Sequence, residues 1–290
     1  MEVTKEDAIV WKKKLLEILE FFVDFCNKNG LKYYCCGGTA LGAVRHQGFI
    51  PWDDDIDVIM PRPDYDKFIK LWQDHNNDRF EFITCDNTKR YIYTFGKLCL
   101  KDTTLIEIET QPYIEGLYID VFAADGCSSD IEAFKKDMDA YRNLEIKLET
   151  VSVPFDFMSR FKYVAKGYLH ALRAMPYYFI KPFLSRNNVL REVEKIYNNN
   201  QYCNSEYVVN YAGSYHYKER IRKEWLGEGR TAKFENIEVV IPSDYDSYLS
   251  HIYGDYMKLP PREKQIGHHF AAYYNLNERV SLEEARKFIK

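Results

Sequence analysis

Four aspartates, Asp53, Asp54, Asp55 and Asp57, fall within five positions just ahead of the apolar run Val58-Ile59-Met60. Like charges about 4 Å apart repel by roughly 1 to 4 kcal/mol per pair at effective dielectrics of 80 to 20, so this packing is costly without a cation. If a strand begins here, the alternation of its side chains puts Asp55 and Asp57 on one face, with Cα atoms about 6.5 Å apart. Such a pair can grip one or two metal ions, and all-oxygen ligands favour a hard cation such as Mg²⁺. A calcium loop of EF-hand type would use Asp53, Asp55 and Asp57, but it needs Gly where Val58 stands. A plain solvated acidic loop is disfavoured by the apolar flank of Ile56, Val58 and Ile59.

Upstream, Gly37-Gly38-Thr39 separates a β-rich stretch over 31–36 from a short helix expected over 39–46. Free N–H groups at a helix start favour an anion, and glycine lets phosphate approach the backbone, although plain turns also use such a pair. The run GGTALGAVRHQG has neither the glycine spacing of a dinucleotide fingerprint nor the Lys-Ser/Thr of a P-loop. Arg45 either pairs with phosphate or neutralises the acidic loop. A third acid, Asp120 in GLYIDVFAADG, shares its strand face with Tyr118 and Phe122, a costly setting unless it is paired or binds metal. Lys97 in TFGKLCL is the basic candidate for a phosphate contact, set against the ordinary surface role of strand lysines.

The 290 residues allow one large domain or two small ones at roughly 150 residues each. At 46% hydrophobic and 29% charged, the chain has globular values rather than those of a disordered or fibrous protein. Forty Lys and Arg against 44 Asp and Glu leave a net charge of −4, too balanced for a protein that coats nucleic acid. Seven Cys without a C-x-x-C suggest reduced thiols in a cytosol, not a disulfide framework or a Cys-based zinc site. The start MEVTKEDAIV lacks an apolar h-region and no run of 18 uncharged apolar residues follows, so the expected location is cytoplasmic.

The texture changes near residue 150. Before it, helix signals over 5–29 and 64–75 alternate with strand signals over 56–60, 91–100, 104–108 and 117–122, which predicts an α+β fold with a mixed sheet and flanking helices. The second half is expected to be helical. Its segment 157–186 carries Arg160, Lys162, Lys166, Arg173, Lys181 and Arg186, no acid, and apolar or aromatic residues every three or four positions. Such a stretch either lies in a membrane interface with its basic side chains toward anionic headgroups, or forms a core helix pair broken at Pro176 with a solvated basic face.

The stretch GGTALGAVRHQGFIPWDDDIDVIMPRPDYDKF resembles the signature of the LicD family, a branch of the nucleotidyltransferase-fold superfamily that includes the fukutin-related transferases. The resemblance continues in GLYIDVFAADG and in FENIEVVIPSDYDSYLSHIYGDYMKLPPREKQIGHH. It implies a nucleotidyltransferase-like catalytic core over 1–150, followed by a helical region over 151–290 whose C-terminal motif completes the site. It further implies that Asp55, Asp57 and Asp120 hold Mg²⁺ or Mn²⁺, and that Asp120 completes that site or takes a proton from the acceptor. Gly37, Gly38 and Thr39 are expected on donor phosphate and Arg45 on the leaving CMP, with His268 given a site role by the C-terminal signature. The implied reaction moves a phospho-alcohol, typically phosphocholine, from a CDP-linked donor to a sugar hydroxyl of a surface glycan or lipid-linked oligosaccharide. Peripheral contact with the inner face of the cell membrane through 157–186, and no nucleic-acid partner, complete the picture. A quaternary ammonium needs aromatic faces, and Trp52 beside the acids is the first candidate. The rivals are a CDP-glycerol or CDP-ribitol donor, a nucleotidyltransferase acting from an NTP, and a non-enzymatic metal-binding scaffold.

Overall fold

The computed structural model describes residues 3–154, 175–265, 267 and 271–289. Helix α1 (Lys5–Asn29) starts where the Thr4 hydroxyl accepts the Asp7 N–H and stops at Gly30, whose φ of 59° no β-carbon opposes. Its apolar face, with Leu15, Ile18, Leu19 and Phe22 fully buried, is the stripe expected from the spacing. Strand β1 (Tyr34–Cys35) is only two residues long, and helix α2 (Gly37–His46) follows directly, so the glycine pair forms the first helical residues rather than a turn before the helix.

Next come β2 (Asp57–Pro61), α3 (Arg62–Gln73), β3 (Phe80–Ile83), β4 (Gly96–Leu100), β5 (Thr104–Ile106) and β6 (Tyr118–Cys127). The main sheet runs β1-β2-β6-β4-β3 and is mixed: β2 lies parallel to β6, and the other pairs are antiparallel. All ten residues of β6 are buried, because neighbours flank it on both edges and helices α1 and α3 pack on it. The strand expected over 91–100 pairs only from Gly96, and β3 was not foreseen.

Beyond residue 127 the described helices are α4 (Ile131–Ser152), α5 (Met175–Ile180), α6 (Arg186–Asn198), α7 (Lys223–Leu226), α8 (Tyr245–Tyr253) and α9 (Leu282–Arg286). To these the structure adds five short strands: β7 (Tyr207–Val209), β8 (Arg220–Arg222), β9 (Arg230–Phe234), β10 (Ile237–Ile241) and β11 (Tyr273–Asn275). Strand β7 extends the main sheet from the far end of β6, and β11 pairs with β5. The largest core cluster therefore draws on Val208, Ile221, Leu249 and Leu276 as well as on the first half. Residues 157–174 of the basic segment lie outside the described residues; beyond them, Phe179 and Phe183 are 82% and 88% exposed. Among the described residues no helix is long and apolar enough to cross a membrane.

Candidate functional site

The parallel register of β2 and β6 sets Asp57 directly beside Asp120 and, two residues on, Ile59 beside Phe122. Neighbouring strands lie about 4.8 Å apart and alternate residues share a face, so both carboxylates leave the same side of the sheet. On either side of Asp120 along β6, Ile119 and Val121 are fully buried. Asp55, Asp57, Ile59, Asp120 and Phe122 all line one cavity of about 900 Å³. Two sequence stretches more than sixty residues apart thus deliver their acids to one place.

The glycine pair makes room for the acids. A β-carbon on Gly37, whose φ is 53°, would lie 3.2 Å from Asp57 Oδ2, and one on Gly38 would lie 2.6 Å from Asp53 Oδ2. The Gly37 N–H donates to the Tyr248 hydroxyl at 2.9 Å, tying α2 to α8. Thr39 is buried, and its hydroxyl accepts the Asp57 N–H at 2.8 Å; it anchors the start of β2 and does not line the cavity. Arg45 lines the cavity and donates to the Tyr256 carbonyl at 2.6 Å. Trp52 lines it too, edge-on to His46. His268 lies outside the described residues.

Among the described residues, the three carboxylates that come within 4.8 Å of one another are those of Asp53, Asp54 and Asp55. This group shares only Asp55 with the expected trio. Among the described residues, seven lining side chains are acids, against the three cations Arg45, Lys258 and Lys264. So acidic a cavity needs a countercharge, and oxygen-only donors suit a hard divalent cation. The residues present therefore fit Mg²⁺ or Mn²⁺.

Lys97 sits opposite Asp120 in the β4–β6 register. It is 1% exposed and does not line the cavity; its ammonium bonds Glu107 at 2.7 Å and approaches Glu115 at 3.4 Å. Burial alone would lower its pKa, but the two carboxylates outweigh that and hold it above the ordinary lysine range. Against the same burial, Lys97 and the hydroxyls of Tyr118 and Tyr93 pull Glu107 down to about 2. Glu115, fully buried, is pushed well above the usual carboxylate range by that burial. Lys97 is thus committed to two buried carboxylates rather than to the cavity.

Sequence reasoning missed Glu219, which lines the cavity and accepts the Tyr215 N–H at 2.9 Å. Burial pushes its carboxyl up to about 7, against the pull of that N–H and of Arg142. The folded protein thus holds a proton up to about pH 7 that the unfolded chain releases near 4.5, so this contribution to stability is full below 4.5 and is lost as pH rises through 7. Glu219→Gln is expected to flatten the decline in Tm between pH 5 and 8, with a gain on the order of 1 to 2 kcal/mol at pH 8. Thermal unfolding across that range checks it; an unchanged slope would assign the decline to other groups.

Tyr248, Tyr253, Asp255, Lys258 and Lys264 also line the cavity, and all belong to the FENIEVV…GHH stretch singled out in the sequence. Residues 30–155 match the family described as LicD/FKTN/FKRP, nucleotidyltransferase domain. Over 264 residues, 90% of this chain and 95% of the relative, the sequence is 28% identical to the lipopolysaccharide cholinephosphotransferase LicD of Haemophilus influenzae. Residues 30–155 thus carry a LicD-family nucleotidyltransferase domain. Two shorter matches are to uncharacterized rickettsial proteins. One, from Rickettsia typhi, is 32% identical over 124 residues, 40% of this chain and 38% of that protein. The other, from Rickettsia prowazekii, is 49% identical over 59 residues, 20% and 22% of the respective chains. The LicD-family region extends through α4, so it carries the glycine pair, the acidic loop and both strands of the β2–β6 pair.

Proposed function

We propose that this LicD-type phosphotransferase moves phosphocholine from CDP-choline to a sugar hydroxyl of a cell-surface glycan or its lipid-linked precursor. The observation that carries this is the union of a LicD-family match with Asp57 and Asp120 side by side in a large acidic cavity. In the reaction the acceptor oxygen bonds to the phosphorus bearing choline, the bridging P–O bond breaks, and CMP leaves with the electron pair. In this reading Asp55, Asp57 and Asp120 would hold Mg²⁺ or Mn²⁺, which would supply the countercharge that the developing negative charge requires. Glu219 takes the proton of the acceptor hydroxyl, supported by a value near neutrality that suits a general base. Arg45 stands on the cavity wall as a donor toward the CMP phosphate.

Incubation with CDP-choline, Mg²⁺ and a glycan acceptor is expected to release CMP. Pyrophosphate release from an NTP, with no CMP from CDP-choline, would replace this reading with nucleotidyl transfer.

A further inference from the structure

The cavity floor is polar at one end and aromatic at the other. Phe122 follows Asp120 by two residues on β6, so it shares the acids' face about 6.6 Å farther along the strand. The ring of Phe95 lies 4.5 Å from that of Phe122 and 5.0 Å from that of Tyr93, and all three line the cavity. Glu145 reaches the same wall from α4: one turn before it, the Tyr141 hydroxyl bonds Thr94, the neighbour of Phe95. Its carboxylate is held through Oε2 by Arg142 at 2.8 Å.

We propose that Phe95 and Phe122, flanked by Tyr93 and backed by the Glu145 carboxylate, form the seat of the donor's quaternary ammonium head. This seat presupposes the phosphocholine reading above and gives the head its place within that cavity. A trimethylammonium group has no N–H to donate, so aromatic faces and a nearby negative charge are what can replace its lost hydration. Four bonds separate phosphorus from nitrogen in phosphocholine; extended they reach about 5 Å, and the N-methyl groups add the remainder of the step of about 6.6 Å from Asp120 to Phe122. Lys97 already lies 4.5 Å over the Tyr93 ring, which leaves the two phenylalanines as the main faces. Trp52 sits with His46 beside the acidic loop, and Tyr215 and Tyr253 bond each other through their hydroxyls. Neither place offers paired apolar rings one repeat from the acids.

Titration calorimetry on the full chain in Mg²⁺ compares CDP-choline, CMP, and the CDP ester of 3,3-dimethylbutanol, which keeps the shape and lacks the charge. The wild type is expected to prefer CDP-choline over the neutral ester by about tenfold or more. Phe95→Leu, chosen because Phe95 is only half-buried, and Glu145→Gln are each expected to cut that preference at least about threefold. Their CMP affinity should stay within about twofold of wild type, which shows that the fold is intact. A preference retained in both variants overturns the seat alone. A wild type with no preference overturns the choline reading and the seat with it.

Discussion

Asp57→Asn is expected to lower kcat for CMP release by about a thousandfold with little change in Tm. The residue is attached to the fold through its backbone: its N–H donates to Thr39 Oγ1 at 2.8 Å, and its carbonyl accepts the Cys36 N–H at 3.1 Å. Both bonds survive the substitution, and Asn keeps the volume beside Gly37. What disappears is one negative charge at the point where the neighbouring strand brings Asp120. Charge stabilisation at a phosphoryl centre is worth several kcal/mol, and about 4 kcal/mol corresponds to a thousandfold in rate. Asp120→Asn should behave alike. Steady-state CMP release beside thermal unfolding is the measurement; turnover within about tenfold of wild type, with Mg²⁺ present, would remove Asp57 from the reaction.

Lys97→Met is expected to act oppositely, on stability and not on donor affinity. The substitution keeps the length of the buried chain but deletes the partner of Glu107 in a site where Lys97 is 1% and Glu115 0% exposed. Removing one member of a buried ion pair costs about 3 to 5 kcal/mol because the other is left uncompensated. For a chain of this size that lowers Tm by roughly 10 °C. The KM for CDP-choline should stay within about twofold of wild type where the protein remains folded. A raised KM with an unshifted Tm would return Lys97 to the phosphate role first expected of it.

These two residues show how much could be read before folding. Asp55 and Asp57 were legible because charge repulsion is local: four carboxylates in five positions demand an explanation whatever surrounds them. Asp120 was legible because a carboxylate between apolar neighbours is costly anywhere. Lys97 was read as a phosphate contact because its neutralising partners, Glu107 and Glu115, lie ten and eighteen residues on, in the connection between β5 and β6, and only the fold brings them to it. Glu219 gave no signal, since only Tyr215, Arg142 and burial distinguish it from a surface glutamate. The second-half strands were hidden for another reason: each is five residues or shorter and is stable only against a partner already in place.

Local chemistry, written in the order of residues, determined the long first helix with its cap and apolar stripe, the α+β class, the acidic loop and the glycine pair beneath it. Tertiary structure alone decided that Asp57 faces Asp120, that the glycines make room for carboxylates, and that Lys97 serves the core. It also decided which rings line the cavity. The division follows from range: propensity and repulsion between near neighbours act along the chain, whereas register, desolvation and cavity walls exist only once distant segments have met.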